Sequence, residues 1–509
     1  MPTENDKRIA RNTFYLYGRM LLTIFISLYI SRVVLDVLGV DDYGIYTVVG
    51  GLAFGFGFLN SAMAGATSRF LSYEIGTGDK EKLRSTFTVA LKVHIVLAVI
   101  IALIADTVGL WYVLKELEIA PERRIVAVWA YQFAILGVIV QIVQVPYYAL
   151  IIARERMGYF ALVAFVNVMV KLGIVLLLMY MVTADNLISY SAMMFGAIFL
   201  MGLMYAVYCH RNFTECRFKG AMRRDVVKQM VGFSAWNIYS NMCVSARVQG
   251  LQLILNKFGG IAVNAASGLT TTVSTTLYSF AVNVITAFRP QIIQQYAKGD
   301  IGYMNRLLEN CAKYSLLLVG VIIVPMIIGM DTILGIWLKE VPEFTAVFCR
   351  LALIAVCGEL VNEIVSIGIQ STGKVARLSL VSGTMYLVEL ALMWLLLYFT
   401  RIPEAVYAVH LVLIFVIAFI DSTILKTKIK DYRILRFWTR GVAVPVGILS
   451  LAMVTAWSVS GAWRDSFFGV LGIGVISAAV ILALGWLLAI DKDTRTIIRN
   501  KILIKFKRV

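Results

Sequence analysis

Long apolar runs alternate with short polar breaks from one end of the chain to the other. Cutting at the charged or Gly/Pro-bearing breaks gives fourteen segments, near residues 13–35, 44–66, 87–111, 126–151, 159–181, 188–208, 234–255, 261–286, 312–328, 345–369, 378–399, 405–424, 441–459 and 467–489. Each approaches the ~20 residues a helix needs to cross a hydrocarbon core. The pattern therefore predicts an all-α polytopic membrane protein. Residues 1–12 are polar and lead straight into a full-length run, so the first helix is expected to be its own insertion signal, with no cleavable leader.

Two of the polar breaks are alike. "RFLSYEIGTGDKEKL" begins at Arg69 and "RPQIIQQYAKGDIGYMNRL" begins at Arg289, 220 positions later, with Gly78-Asp79 and Gly299-Asp300 at matching places. Gly39 and Gly259 likewise follow the first and seventh segments. A shift of six segments is even, so two six-helix halves would run in the same direction, as parallel pseudo-repeats. The organisation expected is an N-terminal half over 1–208, a cytoplasmic linker over 209–228, a C-terminal half over 229–430, two further helices over 431–490 and a basic interfacial tail over 491–509.

Composition supports the membrane assignment, because 60% hydrophobic residues, 15% charged residues and a mean hydropathy of +0.82 do not fit a soluble domain. The net charge of +17 does not call for nucleic acid. Most of the 47 Lys and Arg fall in alternate breaks, on the side shared by the N-terminus, the linker and the tail. By the positive-inside rule that side is cytoplasmic, apposed to anionic membrane lipids. Six cysteines without a CxxC pair and three scattered histidines indicate neither a disulfide framework nor a metal site.

Ionisable residues inside apolar segments invite a reason, since each costs at least ~2.5–3.5 kcal/mol on insertion scales. Arg247, Lys171, Glu359, Glu363 and Glu389 lie near segment centres, and Arg19 lies part-way in. Arg32, Lys92, His410 and Asp421 lie within a turn or two of an end, where snorkelling to the headgroups is expected. Arg247 shares a helix side with Asn237, Ser240 and Asn241. Lys171 follows Asn167 by one turn, and Arg19 precedes Thr23 and Ser27 at i+4 and i+8. Glu359 and Glu363 stand one turn apart beside Asn362, a spacing at which two carboxylates resist simultaneous ionisation.

Two readings of these charges are open: mutual salt bridges, or a cationic cavity supplied by the first, fifth and seventh helices. The second helix is rich in small residues around Asn60, and the eighth carries Thr271 and Thr275 among many hydroxyls. Close packing and self-bonded hydroxyls compete there with a polar cavity wall lined by Asn60, Asn237, Asn241, Thr271 and Thr275.

The six-plus-six-plus-two arrangement, the opening "YGRMLLTIFISLYISRVVLDVLGVDDYGIYTVVGG" and the "RFLSYEIGTGD" break resemble the polysaccharide flippases of the multidrug/oligosaccharidyl-lipid/polysaccharide exporter superfamily. The resemblance implies a MATE-like fold of fourteen transmembrane helices, with helices 1, 2, 7 and 8 lining a central cavity. It implies transfer of a polyprenyl-pyrophosphate-linked glycan across the bacterial inner membrane by alternating access, for cell-surface polysaccharide. Both termini would be cytoplasmic, and polysaccharide-assembly proteins would be further partners. Arg19, Arg32, Arg247 and Lys171 become the expected pyrophosphate contacts. No cofactor is implied, and coupling to protons or sodium stays open, with Glu359, Glu363 and Glu389 as the candidates.

Two other functions compete. A drug/cation antiporter shares the fold, but its N-terminal cavity should favour acidic residues, whereas the first six helices carry Arg19, Arg32, Lys92 and Lys171 against Asp106 near an end. A glycan ligase or polymerase needs catalytic groups in a sizeable outward loop. The longest outward breaks, 112–125 and 329–344, are short, so no enzyme is expected.

Overall fold

The computed structural model describes residues 57–115, 121–180, 185–217, 223–338, 341–461 and 465–489, together with residues 18, 26, 30, 33, 34, 37, 38, 42, 45 and 46 singly. Most of the first predicted span, much of the second and the 491–509 tail lie outside the described residues. Those up to Ile238 form one compact unit and those from Tyr239 form another.

The regular elements among the described residues are all helices, with no strand among them. In the first unit run α1 (Gly57–Thr77), α2 (Lys80–Ile104), α3 (Arg124–Val143), α4 (Val145–Ala153), α5 (Met157–Tyr180) and α6 (Asn186–Asn212). Then α7 (Arg224–Lys298) leads into the second unit, which continues with α8 (Ile301–Ile328), α9 (Met330–Trp337), α10 (Thr345–Ser371), α11 (Ala376–Thr400), α12 (Glu404–Lys428), α13 (Val444–Ser460) and α14 (Phe467–Leu484). Ten helical stretches among the described residues are long and apolar enough to cross a membrane. They leave large apolar side chains such as Leu103, Leu177, Val412 and Val454 exposed, as lipid-facing helices do.

Helix α7 departs from expectation. Two spans with a break at 256–260 were predicted, yet helix runs unbroken over 75 residues. It is not straight, because Gln252 donates to Ser267 Oγ at 2.9 Å, whereas fifteen residues of straight helix would separate them by roughly 22 Å. The chain therefore turns back between those two residues, which an uninterrupted straight run of i→i+4 hydrogen bonds does not allow. Neither arm of α7 is among the ten apolar stretches, since Arg247 and the hydroxyl-rich 267–279 run make it polar along its length.

The two look-alike breaks are built by one local device. Gly78 ends α1 at φ +78°, and Asp79 caps α2 by accepting from the backbone N–H of Glu81 and Lys82 at 3.1 and 3.0 Å. Those N–H groups, Lys82's foremost, hold the Asp79 carboxyl below its usual range. In the second unit Gly299 ends α7 at φ +79°, and Asp300 caps α8 by accepting from the N–H of Tyr303 at 2.9 Å. Glycine enters the left-handed region without a Cβ clash, and aspartate satisfies the bare N–H groups of the next helix. The arginines that open the two breaks differ. Arg69 is buried against the rings of Phe70 and Tyr73 at 4.6 and 5.0 Å, whereas Arg289 pairs with a carboxylate.

Polar contacts between breaks respect the expected alternation of sides. Arg123 donates to Asp185 at 2.5 Å and clasps Asp42, joining three breaks expected to face outward. Arg154 bonds Glu215 at 2.6 Å and Arg436 bonds Glu309 at 2.9 Å, each joining two expected to face inward.

Within the second unit α10 is the central helix, with 83% of its most apolar stretch buried where the other nine crossing stretches reach 22–56%. It packs mainly against α12 and α8. Phe348 stacks on Tyr407 at 4.5 Å, and the Tyr407 hydroxyl meets Ser267 Oγ at 2.9 Å.

Candidate functional site

Four helices of the second unit bring ionisable side chains to one point. Arg247 comes from α7, Glu359 from α10, Glu389 from α11 and His410 from α12. His410 Nδ1 lies 2.9 Å from Glu389 Oε1, and its Nε2 lies 3.2 Å from Glu359 Oε1. Arg247 reaches Glu389 Oε1 at 3.4 Å and Glu359 Oε1 at 4.0 Å. Its guanidinium also stands 3.3 Å from His410 Nδ1 and 5.7 Å from the centre of the Tyr386 ring. The Glu389 side chain is fully buried, His410 and Arg247 are 9% and 11% exposed, and Glu359, at 29%, is the member open to the surroundings.

Two glycines permit this approach. A Cβ on Gly250, one turn after Arg247, would come within 2.6 Å of Leu390, the neighbour of Glu389. A Cβ on Gly358, beside Glu359, would come within 2.7 Å of Ile414, one turn after His410. Both lie below any normal carbon–carbon contact, so side chains at these positions would push the helices apart.

Two polar groups flank the cluster along α10. Asn362 and Ser382 donate to Asp421 at 2.9 and 2.6 Å, and Asp421 is wholly buried. Glu363 accepts from Arg289 at 2.6 Å. Glu359 and Glu363, expected to act on one another, are each matched to a separate cation instead.

His410 and Asp421 were expected to snorkel and do not, because both face α10 inside the bundle. The sequence carried a signal for this. They are eleven residues apart, three turns of helix, and so share the face of α12 that meets the Glu359, Asn362 and Glu363 side of α10.

The remaining site candidates disperse. Arg19 and Arg32 lie outside the described residues, as does the side chain of Asn60. Asn237 and Asn241 are half-buried on α7. Thr271 and Thr275 donate to their own helix at Ser267 and Thr271 carbonyls, 2.9 and 2.7 Å away, and Thr270, Thr272, Ser274, Thr276 and Ser279 do likewise. The hydroxyl run thus satisfies its own donors, and its acceptor lone pairs alone remain for other partners. Lys92 is exposed, as snorkelling requires.

Lys171 stands apart. It is half-buried at the middle of α5, beside the buried stripe of Val168, Ile174, Val175 and Leu178, and makes no hydrogen bond or ion pair with any described residue. No group of three or more His, Cys, Asp or Glu among the described residues is disposed to hold a metal ion.

No family model and no curated protein matches the chain. Solved structures do. A MATE mutant superposes with a TM-score of 0.70 at 13% identity, covering 84% of this chain and 97% of its own. An outward-facing multidrug resistance MATE family transporter of the MOP superfamily gives 0.69 at 13%, covering 84% and 96%. A MOP superfamily transporter from Pyrococcus furiosus, described as having a binding pocket of reverse polarity that suggests a different function, gives 0.65 at 14%, covering 85% and 96%. The chain has the MATE-like fold that the resemblance implied.

Proposed function

We propose that this protein is a membrane transporter that flips a polyprenyl-pyrophosphate-linked glycan from the inner to the outer leaflet of a bacterial cytoplasmic membrane. The observation that carries this reading is Lys171. A cation half-buried at mid-helix with no counter-charge among the described residues is disfavoured by at least ~2.5–3.5 kcal/mol on insertion scales, and an anionic ligand offsets that. Pyrophosphate has the complementary charge and accepts ammonium hydrogen bonds. An inside-negative potential favours its outward passage by ~2.3 kcal/mol per charge per 100 mV. Arg19 and Arg32, from the same half of the sequence, are the further cations assigned to the ligand. Arg247 already has two carboxylates beside it and is assigned to ion coupling.

A second reading, drug/cation antiport, draws support from the structural likeness to a multidrug resistance MATE family transporter. The two separate in proteoliposomes. A fluorescent polyprenyl-pyrophosphate oligosaccharide in the inner leaflet should become accessible to an external quencher, and Lys171→Gln should slow this by tenfold or more. Because that substitution removes a charge that has no partner among the described residues, the variant should be at least as stable as the parent. Wild-type flipping by Lys171→Gln would overturn the assignment of Lys171, and cation-driven dye efflux without glycolipid flipping would favour the antiporter.

A further inference from the structure

The histidine at the centre of the charged cluster contacts one carboxylate through each of its ring nitrogens. A neutral imidazole carries one N–H and one bare lone pair. With Glu389 at 2.9 Å from Nδ1 and Glu359 at 3.2 Å from Nε2, a neutral ring would aim that lone pair at a carboxylate oxygen, and two lone pairs at such distances repel. Each contact is therefore favourable only with a proton between its atoms, on the ring or on the carboxyl group. Arg247 also donates towards Nδ1 from 3.3 Å, but it is shared with the same Glu389 oxygen at 3.4 Å and does not lie between the two atoms 2.9 Å apart.

Charge leads to the same count. Arg247 contributes +1, and Glu359 and Glu389 contribute −2. One proton beyond the neutral ring makes the set electrically neutral, which a fully buried Glu389 demands. The surrounding groups do not alter this sum. From α7 and α10, Arg289 and Glu363 neutralise each other. From α12, Asp421 is bound by the uncharged Asn362 and Ser382. From α11, Tyr386 presents only its ring to Arg247.

We propose that His410, Glu359 and Glu389 form a proton-binding site in which one exchangeable proton ties α10 and α12 to α11. Glu359, the most exposed member, is the port through which the proton enters and leaves. Its departure leaves one nitrogen–oxygen contact repulsive and the cluster at −1. Arg247 is placed to respond, because its Nε and the Glu389 Oε2 are both buried without a hydrogen-bond partner in the described arrangement. A bidentate Arg247–Glu389 pair would satisfy both and release His410. The proton thus selects between two arrangements of the same four side chains. Its role as the coupling ion rests on the transporter reading above, whereas its binding does not.

The test separates the two. Full-length protein in nanodiscs, labelled with ¹⁵N-histidine, contains three histidines, and His94→Gln and His210→Gln variants assign the remaining signal to His410. At neutral pH the signal should be a doubly protonated ring, or else a neutral ring accompanied by a protonated-carboxyl infrared band that disappears in Glu389→Gln or Glu359→Gln. A neutral His410 with no such band would overturn the site, whatever the protein transports. In proteoliposomes an imposed pH gradient should change the flipping rate of the parent several-fold and leave that of His410→Gln unchanged. Loss of glycolipid flipping by the parent would count against the proposed substrate alone, and gradient-sensitive flipping by a folded His410→Gln would exclude this proton as the coupling ion.

Discussion

Arg289 donates to Glu363 at 2.6 Å, so the carboxylate one turn beyond Glu359 belongs to a separate ion pair and not to the histidine cluster. Both side chains are about one-quarter exposed, at 25% and 28%. Breaking the pair from one side leaves a half-buried charge without its partner, a loss of about 1–3 kcal/mol. Arg289→Ala should therefore lower the thermal midpoint of the purified protein, and Arg289→Ala/Glu363→Gln should recover much of it, because the abandoned charge is gone. A double variant no more stable than Arg289→Ala would show that the abandoned Glu363 charge is not what destabilises the single variant.

Gly358 sets the distance between α10 and α12 at the cluster. The Cβ of Gly358→Ala would lie 2.7 Å from the Cγ2 of Ile414, a buried β-branched side chain with little freedom at χ1. Relief then comes from helix separation, with an overpacking loss of about 1–3 kcal/mol. The same movement would lengthen the His410–Glu359 contact, now 3.2 Å. Gly358→Ala should reduce thermal stability and also perturb the His410 resonance, whereas Gly335→Ala, where a Cβ meets nothing within 4 Å, should change neither. An unshifted His410 signal in a destabilised Gly358→Ala would separate packing from the cluster.

The helices were legible because hydropathy and caps act locally. An apolar run near the span of a bilayer, closed by Gly-Asp, specifies where helix stops and restarts, and Gly78-Asp79 and Gly299-Asp300 behave alike for that reason. The helical character of 256–260 within α7 was not legible, because Lys257 and Gly259-Gly260 read as a charged, glycine-bearing break. The cluster was legible in part. Glu359, Glu389 and Arg247 stood out by depth, but partner choice depends on which helices adjoin, and one sequence does not encode that pairing at sight. His410 and Asp421 were misjudged because depth was measured from the near helix end. Their shared face across three turns was the better guide, since it pointed to a polar partner helix. Lys171 keeps the same standing in sequence and structure, a mid-helix cation without a carboxylate among the described residues.

The direction in which the helices cross is open to a direct measurement. All six cysteines are buried and unpaired, so a membrane-impermeant maleimide should label the parent weakly and a single introduced cysteine should dominate the signal. Arg401 is exposed at the end of α11, in a break expected to face outward, and Lys430 is exposed just past α12, in one expected to face inward. The positive charge around Lys426, Lys428, Lys430, Arg433 and Arg436 predicts that the second break is retained in the cytoplasm. In intact spheroplasts Arg401→Cys should be labelled at once and Lys430→Cys only after permeabilisation. Both positions are surface residues away from the charged cluster, so neither variant should lose abundance by more than the scatter of surface substitutions, ±0.5 kcal/mol in stability at about the most. The opposite labelling order would invert the whole molecule, and with it the direction of glycolipid transfer, since Glu359 and every helix end change sides together. Labelling of both cysteines from outside would mean that α12, the helix between the two positions, does not cross the membrane.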